Sequence, residues 1–374
     1  MKKIFAVLGV TTLTLGLAAC GPTEGSSKIK VAMITDVGNI DDRSFNQGTW
    51  EGIVEYLEPL EYVENKDYKY FKPKAQTHAD YVAEIENAIT WGAQAVICPG
   101  FLFETAIYEV QYKYPEVKFL IEDGSPNNGK KGDEYKAEVA SNTVAAFFKE
   151  QESGFLAGYA AVKDGNTDLG YMGGIAVPAV KNFGMGYVAG AYYAAKEDSV
   201  TITMPDNHYT YLGSFEPKNE YKVQADTWYK AGVDVIFAAA GGAGSSVMSA
   251  AEENNTLTIG VDVDQSNMSK TVLTSAKKSL DSAVSVFLDG VFDETKFKGG
   301  ETLRLGAKED GVSLPTADES WRFKKFTKEQ YESIYAKIHD GSLVVPTNYA
   351  ELKSFVEAQG ATLEVKESTM FPEA

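Results

Sequence analysis

From Lys28 onward the chain alternates short, unbroken apolar runs with longer stretches in which apolar residues recur every three or four positions. Unbroken runs lack the period-two alternation of a strand with one wet face. They suit parallel strands covered on both faces, and the longer stretches have the period of the helices that cover them. The pattern predicts strands at 29–35, 93–98, 117–122, 138–142, 169–173, 233–239, 256–261 and 271–275. Phe45, Trp50, Ile53, Val54 and Leu57 share one helix face, and further helices are expected near 81–91, 145–162, 181–195, 221–231, 245–254 and 281–292. The class is α/β, and 374 residues at roughly 150 per domain favour two doubly wound sheets over one very wide one.

The first twenty residues stand apart from this pattern. Lys2 and Lys3 precede an apolar or small stretch from 4 to 17, too short for a permanent membrane span and suited to a secretory signal. The stretch ends in Leu17-Ala18-Ala19-Cys20-Gly21, which resembles the lipobox of bacterial lipoproteins and implies acylation of Cys20. Residues 1–19 are then the signal, 20–27 a flexible tether, and the expected location is the extracytoplasmic face of the cell membrane. Acidic residues outnumber basic ones by 53 to 35, and losing Lys2 and Lys3 takes the net charge from -18 to -20. Such a surface disfavours nucleic acid, whose binding needs clustered cations. With Cys20 and Cys98 as the only cysteines, no disulfide framework is available, and Cys98 inside an apolar run reads as a core thiol.

In open parallel sheets ligands sit beyond the carboxyl ends of strands. The first such loop reads Thr35-Asp36-Val37-Gly38-Asn39-Ile40-Asp41-Asp42-Arg43-Ser44-Phe45-Asn46-Gln47. Asp36 offers an acceptor and Phe45 a stacking face; Asp41 or Asp42 suits a helix cap, and Phe45 alternatively a staple. Gly241-Gly242-Ala243-Gly244 lacks the Lys-Ser or Lys-Thr of a phosphate loop, and its glycines suit a tight strand-to-helix turn. His78, His208 and His339 are scattered, and neither a nucleophile elbow nor a metal-ligand spacing occurs, so no cofactor, metal or catalysis is expected.

Asp36-Val37-Gly38, Asp42-Arg43-Ser44-Phe45-Asn46-Gln47 and Trp50-Glu51-Gly52 closely resemble the basic membrane protein family, the purine-nucleoside-binding lipoproteins of bacterial ABC importers. The likeness continues in order through 153–161, Gly260-Val261-Asp262-Val263-Asp264-Gln265, Thr274-Ser275-Ala276 and 306–312. It implies two Rossmann-like lobes of type I periplasmic-binding-protein architecture, joined by three crossings, with lobe 1 at 28–143 and 276–300 and lobe 2 at 144–275 and 301–374. It also implies a monomer that passes guanosine, inosine or adenosine to a permease and its ATPase. The site residues it implies are Asp36 and Asn46 of the first loop, with Phe45 and Phe215 stacking on the base. Asp123 accepts from the base edge, Gly242 makes a backbone contact, Asp262 takes the ribose hydroxyls, and Lys278 or its neighbour Lys277 donates to ribose. Phe215 alternatively joins the core, Asp123 alternatively caps a turn, and Asp264 is the weaker ribose candidate. The readings outside transport are an exported nucleoside hydrolase and a nucleoside-sensing surface lipoprotein.

Overall fold

The apolar runs become the central strands of two six-stranded sheets in the computed structural model, which describes residues 28–36 and 38–373. Cys20 and the signal stretch lie outside the described residues. The first sheet has the order β11-β5-β4-β3-β1-β2, formed by β1 (Lys30–Ile34), β2 (Tyr68–Phe71), β3 (Ala93–Pro99), β4 (Lys118–Glu122), β5 (Thr143–Phe148) and β11 (Thr302–Leu305). All its pairings are parallel. The second has the order β12-β10-β9-β8-β6-β7, with β6 (Leu169–Gly173), β7 (Tyr209–Tyr211), β8 (Val235–Ala239), β9 (Leu257–Asp262), β10 (Val272–Lys278) and β12 (Val312–Ser313). Only β12 runs antiparallel to its neighbour. Helices α1 (Phe45–Leu57), α2 (His78–Trp91), α3 (Glu104–Lys113), α4 (Glu150–Lys163), α5 (Pro178–Asp198), α6 (Asn219–Lys230), α7 (Gly244–Asn254), α8 (Leu280–Phe292), α9 (Lys328–His339), α10 (Tyr349–Ala358) and α11 (Glu367–Met370) accompany them. Cys98 lies fully buried in β3, where burial holds its thiol well above the ordinary range.

The chain changes sheet three times, at positions different from those the sequence suggested. β5 pairs with β4, so the first change comes after Phe148 and not at 143/144. β10 runs on through Lys278 in the second sheet, beyond the expected break at 275/276, and β11 returns to β5, so the last change follows Leu305 and not 300. The three crossings lie side by side: the Lys149 N–H donates to the Leu305 carbonyl (2.9 Å) and the Ser279 N–H to the Gly311 carbonyl (2.9 Å).

The same region departs most from the local sequence pattern. Residues 138–142 are a loop in which the Asn142 amide donates to the carbonyls of Gln111, Tyr114 and Val117, and the expected helix at 145–162 begins with β5. Ala145 and Ala146 are good helix formers, but β5 lies between β4 and β11, and there tertiary context overrides propensity.

Helix α4 meets α5 at backbone contact. A methyl on Gly154 or Gly158 would stand 2.2 or 2.1 Å from the carbonyl oxygens of Phe183 and Tyr187, and one on Gly186 or Gly190 would stand 2.0 Å from those of Gln151 and Phe155. The small residues of the 153–161 stretch are thus a packing device. Gly158→Ala should cost about 1–3 kcal/mol or more by forcing the helices apart, read as a lower urea midpoint; an unchanged midpoint would mean that α4 and α5 separate freely.

Candidate functional site

The loop after β1 is shaped by Asp42, whose carboxylate accepts from the backbone N–H groups of Ser44 (2.9 Å), Asn46 (3.1 Å) and Gln47 (3.1 Å). It caps the first turn of α1 and is pushed above the ordinary carboxylate range by burial, which these hydrogen bonds partly offset. Asn46 is buried and works on the same loop. Its Oδ1 accepts from the Asp36 N–H (3.0 Å), and its Nδ2 donates to Asp36 Oδ1 (2.6 Å) and Asp42 Oδ2 (2.7 Å). Asp36 also accepts from the Gly38 N–H at 3.0 Å. The arrangement leaves Phe45, the first residue of α1, half-buried with its ring 4.9 Å from the Lys278 ammonium.

Asp36, Asp123, Asp262 and Gly242 all lie at or just past the carboxyl ends of parallel strands of the two sheets. Asp123 follows β4 with φ 50°, and Asp262 ends β9 with φ 65°. Aspartate tolerates this left-handed conformation better than most residues. Between the two stands Lys278, 4% exposed at the end of β10. Its ammonium donates to Asp123 Oδ2, and Glu150 Oε1 and Asp262 Oδ1 lie 3.6 and 3.8 Å away. Ser44 Oγ donates to Asp262 Oδ2 at 2.5 Å, which ties the first helix to the second sheet. The Gln265 amide repeats that tie, donating to the Arg43 carbonyl at 2.8 Å.

One cation thus faces three carboxylates away from water. Burial alone would lower the Lys278 value, but Asp123, Glu150 and Asp262 together hold it above the ordinary lysine range. Burial raises Asp262, with Lys278 and Ser44 opposing. Burial and then Asp123 push Glu150 up to about 7, against the pull of Lys278 and of Asn182, whose amide donates to Oε2 at 3.0 Å. Glu122, fully buried beside Asp123, is pushed up to about 8 by burial although Thr49 Oγ1 donates to it at 2.7 Å. Asp123 Oδ1 and Glu122 Oε1 are buried acceptors with no protein donor.

Other sequence candidates fall in different places. Lys277, the preceding residue on β10, takes no part in these ion pairs, so Lys278 is the inward ammonium. Asp264 accepts from Ser320 Oγ and the Ser266 N–H, and so serves the chain after β12. Phe215 is half-buried on the loop after β7, and its ring lies where a methyl on Gly174 would stand at 2.4 Å. Its carbonyl accepts from the Ala243 N–H at 2.8 Å, which seats the Phe215 loop on the glycine turn. Within that turn Gly241 has the positive φ, 52°, and Gly242 does not. Ser44, Glu150, Glu122 and Gln265 were not singled out from sequence; only the polar Lys149-Glu150 break after an apolar run marks one of them.

Residues 29–348 match the family described as ABC transporter substrate-binding protein PnrA-like. The chain is 28% identical to basic membrane protein B of Borreliella afzelii over 96% of this chain and 98% of that one. It is 29% identical to the ABC transporter nucleoside-binding protein BmpA of Lactococcus lactis over 92% and 99%. A solved ABC transporter solute-binding protein from Aeropyrum pernix shares the fold with a TM-score of 0.68 at 23% identity, over 89% of this chain and 97% of that one. Two mostly parallel α/β sheets, joined by three crossings and with loops at the carboxyl ends of their strands, are the fold that this solute-binding protein shares. The chain belongs to the PnrA-like family of ABC transporter substrate-binding proteins.

Proposed function

We propose that the chain captures purine nucleosides between its two lobes and hands them to the permease of an ABC importer, held to the extracytoplasmic membrane face by an acylated Cys20. The observation that carries this reading is the buried Lys278, met by Asp123 from the first sheet and Asp262 from the second, with Phe45 against it. A ribose offers vicinal hydroxyls to a carboxylate and oxygens to an ammonium, and a purine offers a face to aromatic rings. Phe45 and Phe215 are the stacking pair, Asp36, Asn46 and Asp123 serve the base side, and Gly242 lends backbone. The Lactococcus relative is named a nucleoside-binding protein. Among the described residues no helix is long and apolar enough to cross a membrane.

Calorimetry with inosine, hypoxanthine, ribose and inosine monophosphate tests the assignment. Inosine should bind best, because it engages both parts of the site without adding charge. The monophosphate should bind worst of the purine ligands, since it adds about two negative charges beside three carboxylates. Phe45→Ala should weaken inosine by roughly 1–3 kcal/mol and leave ribose unchanged. Ribose or the monophosphate as the tightest ligand would sink the reading.

A further inference from the structure

Glu150 is a buried carboxylate for which ligand contact supplies no role. It opens α4 directly after the first crossing, with Oε1 3.6 Å from the Lys278 ammonium at the second crossing. Two residues on, Glu152 Oε2 accepts from the Ala307 N–H at 2.7 Å, at the third crossing. One turn of helix therefore ties all three crossings together through two carboxylates.

The three partners of Lys278 differ in where they are mounted. Asp123 follows β4 of the first sheet, so opening of the lobes draws it away from Lys278, whereas Asp262 ends β9 beside β10 and stays with Lys278. Glu150 and Lys278 sit on neighbouring crossings and stay together. Asn182 fixes the other Glu150 oxygen at 3.0 Å, so the carboxylate is held in place from α5. An ammonium has three N–H donors. With Asp123 taking one, a fixed counter-charge beside the crossing decides where the other two point.

We propose that Glu150 is a positioning residue for nucleoside capture, holding the Lys278 ammonium at the crossing and making capture sensitive to the charge on its own carboxyl. This rests on the reading of Lys278 as a ligand group. The charged groups facing Glu150 are Lys278 and Asp123, with Asp262 across the ammonium and the neutral Asn182 amide behind. Burial holds Glu150 up to about 7 while Lys278 stays charged, so lowering the pH through that value neutralises Glu150 and releases the ammonium toward Asp123. Affinity is highest above this pH and falls below it.

The test is inosine affinity by calorimetry from about pH 5.5 to about pH 8.5 for the native chain, Glu150→Gln and Glu150→Asp. The native affinity should fall roughly three- to tenfold toward the acid end. Glu150→Gln, which keeps an acceptor for Asn182, should show the weak acid-end affinity at every pH, and Glu150→Asp should restore a pH dependence. A Glu150→Gln profile that superimposes on the native one overturns the proposal. A second measurement needs no nucleoside: the carbon resonance beside the Lys278 nitrogen, in protein carrying 13C-lysine and assigned by its loss in Lys278→Arg. It should show a step with pH near 7 in the native chain that is lost in Glu150→Gln, where only the buried Glu122, pushed up to about 8, still titrates beside it; a native resonance with no step near 7, or one that Glu150→Gln keeps, overturns the proposal. If inosine binds at no pH, the nucleoside reading falls, and the lysine resonance alone decides whether Glu150 holds Lys278.

Discussion

Lys278→Met should unfold the protein readily at alkaline pH and abolish detectable inosine binding. Methionine keeps much of the length and apolar stem of lysine but removes the charge, leaving Asp123, Glu150 and Asp262 facing one another without a cation. Removing one partner of a buried ionic group typically costs about 3–5 kcal/mol, because the remaining charges are neither solvated nor paired. The penalty has a definite pH sign. Glu150 and Asp262 already sit above their ordinary values in the native chain, mainly through burial, and losing Lys278 raises them further. A carboxyl with a raised folded-state value adds stability below its unfolded value and loses it as pH rises through the folded one. Urea denaturation should therefore show a large deficit for Lys278→Met at about pH 8 and a smaller one at about pH 5.5. An equal and small deficit at both values would mean that water reaches the cluster and screens it.

The second large effect separates sugar recognition from charge balance. Asp262→Asn preserves shape but exchanges a charged acceptor for a neutral carbonyl and an amide donor that faces Lys278. If Asp262 receives both vicinal hydroxyls, each lost charge-assisted bond is worth roughly 1.5–3 kcal/mol, and inosine should weaken at least tenfold. The 2'-deoxy analogue lacks one hydroxyl, so it should bind weakly to the native chain and lose less on mutation, the coupling expected of a shared contact. Equal losses for inosine and 2'-deoxyinosine would show that Asp262 serves only Ser44 and Lys278, with which it already interacts.

Much of this molecule is legible in one dimension. Unbroken apolar runs gave seven of the buried parallel strands, each within a few residues of its place, and two sheets follow from their number. The first loop could be read for its helix cap, since Asp42 acts on N–H groups two to five residues away. Edge strands β2, β7, β11 and β12 escaped because they are only two to four residues long. Their hydrogen bonds come from a neighbour already in place, and so few residues carry no period.

Assembly decided the rest. Ser44 and Asp262 are 218 residues apart, and Lys278 and Asp123 are 155 apart. Neither pair has any spacing that a chain-local pattern can report. Ala145-Ala146 reads as helix until β4 and β11 flank it, Lys277 and Lys278 are equivalent until β10 turns one ammonium inward, and Glu150 is an ordinary acidic helix start until a crossing sets it beside that ammonium. Propensity and periodicity act over a turn or two of chain, so sequence by itself determined most of the buried strands and the loops that carry the candidate site residues. Burial and charge partners arise only where three crossings bring two sheets together, so the tertiary structure alone decided which ammonium and which carboxylates form the buried cluster at the candidate site.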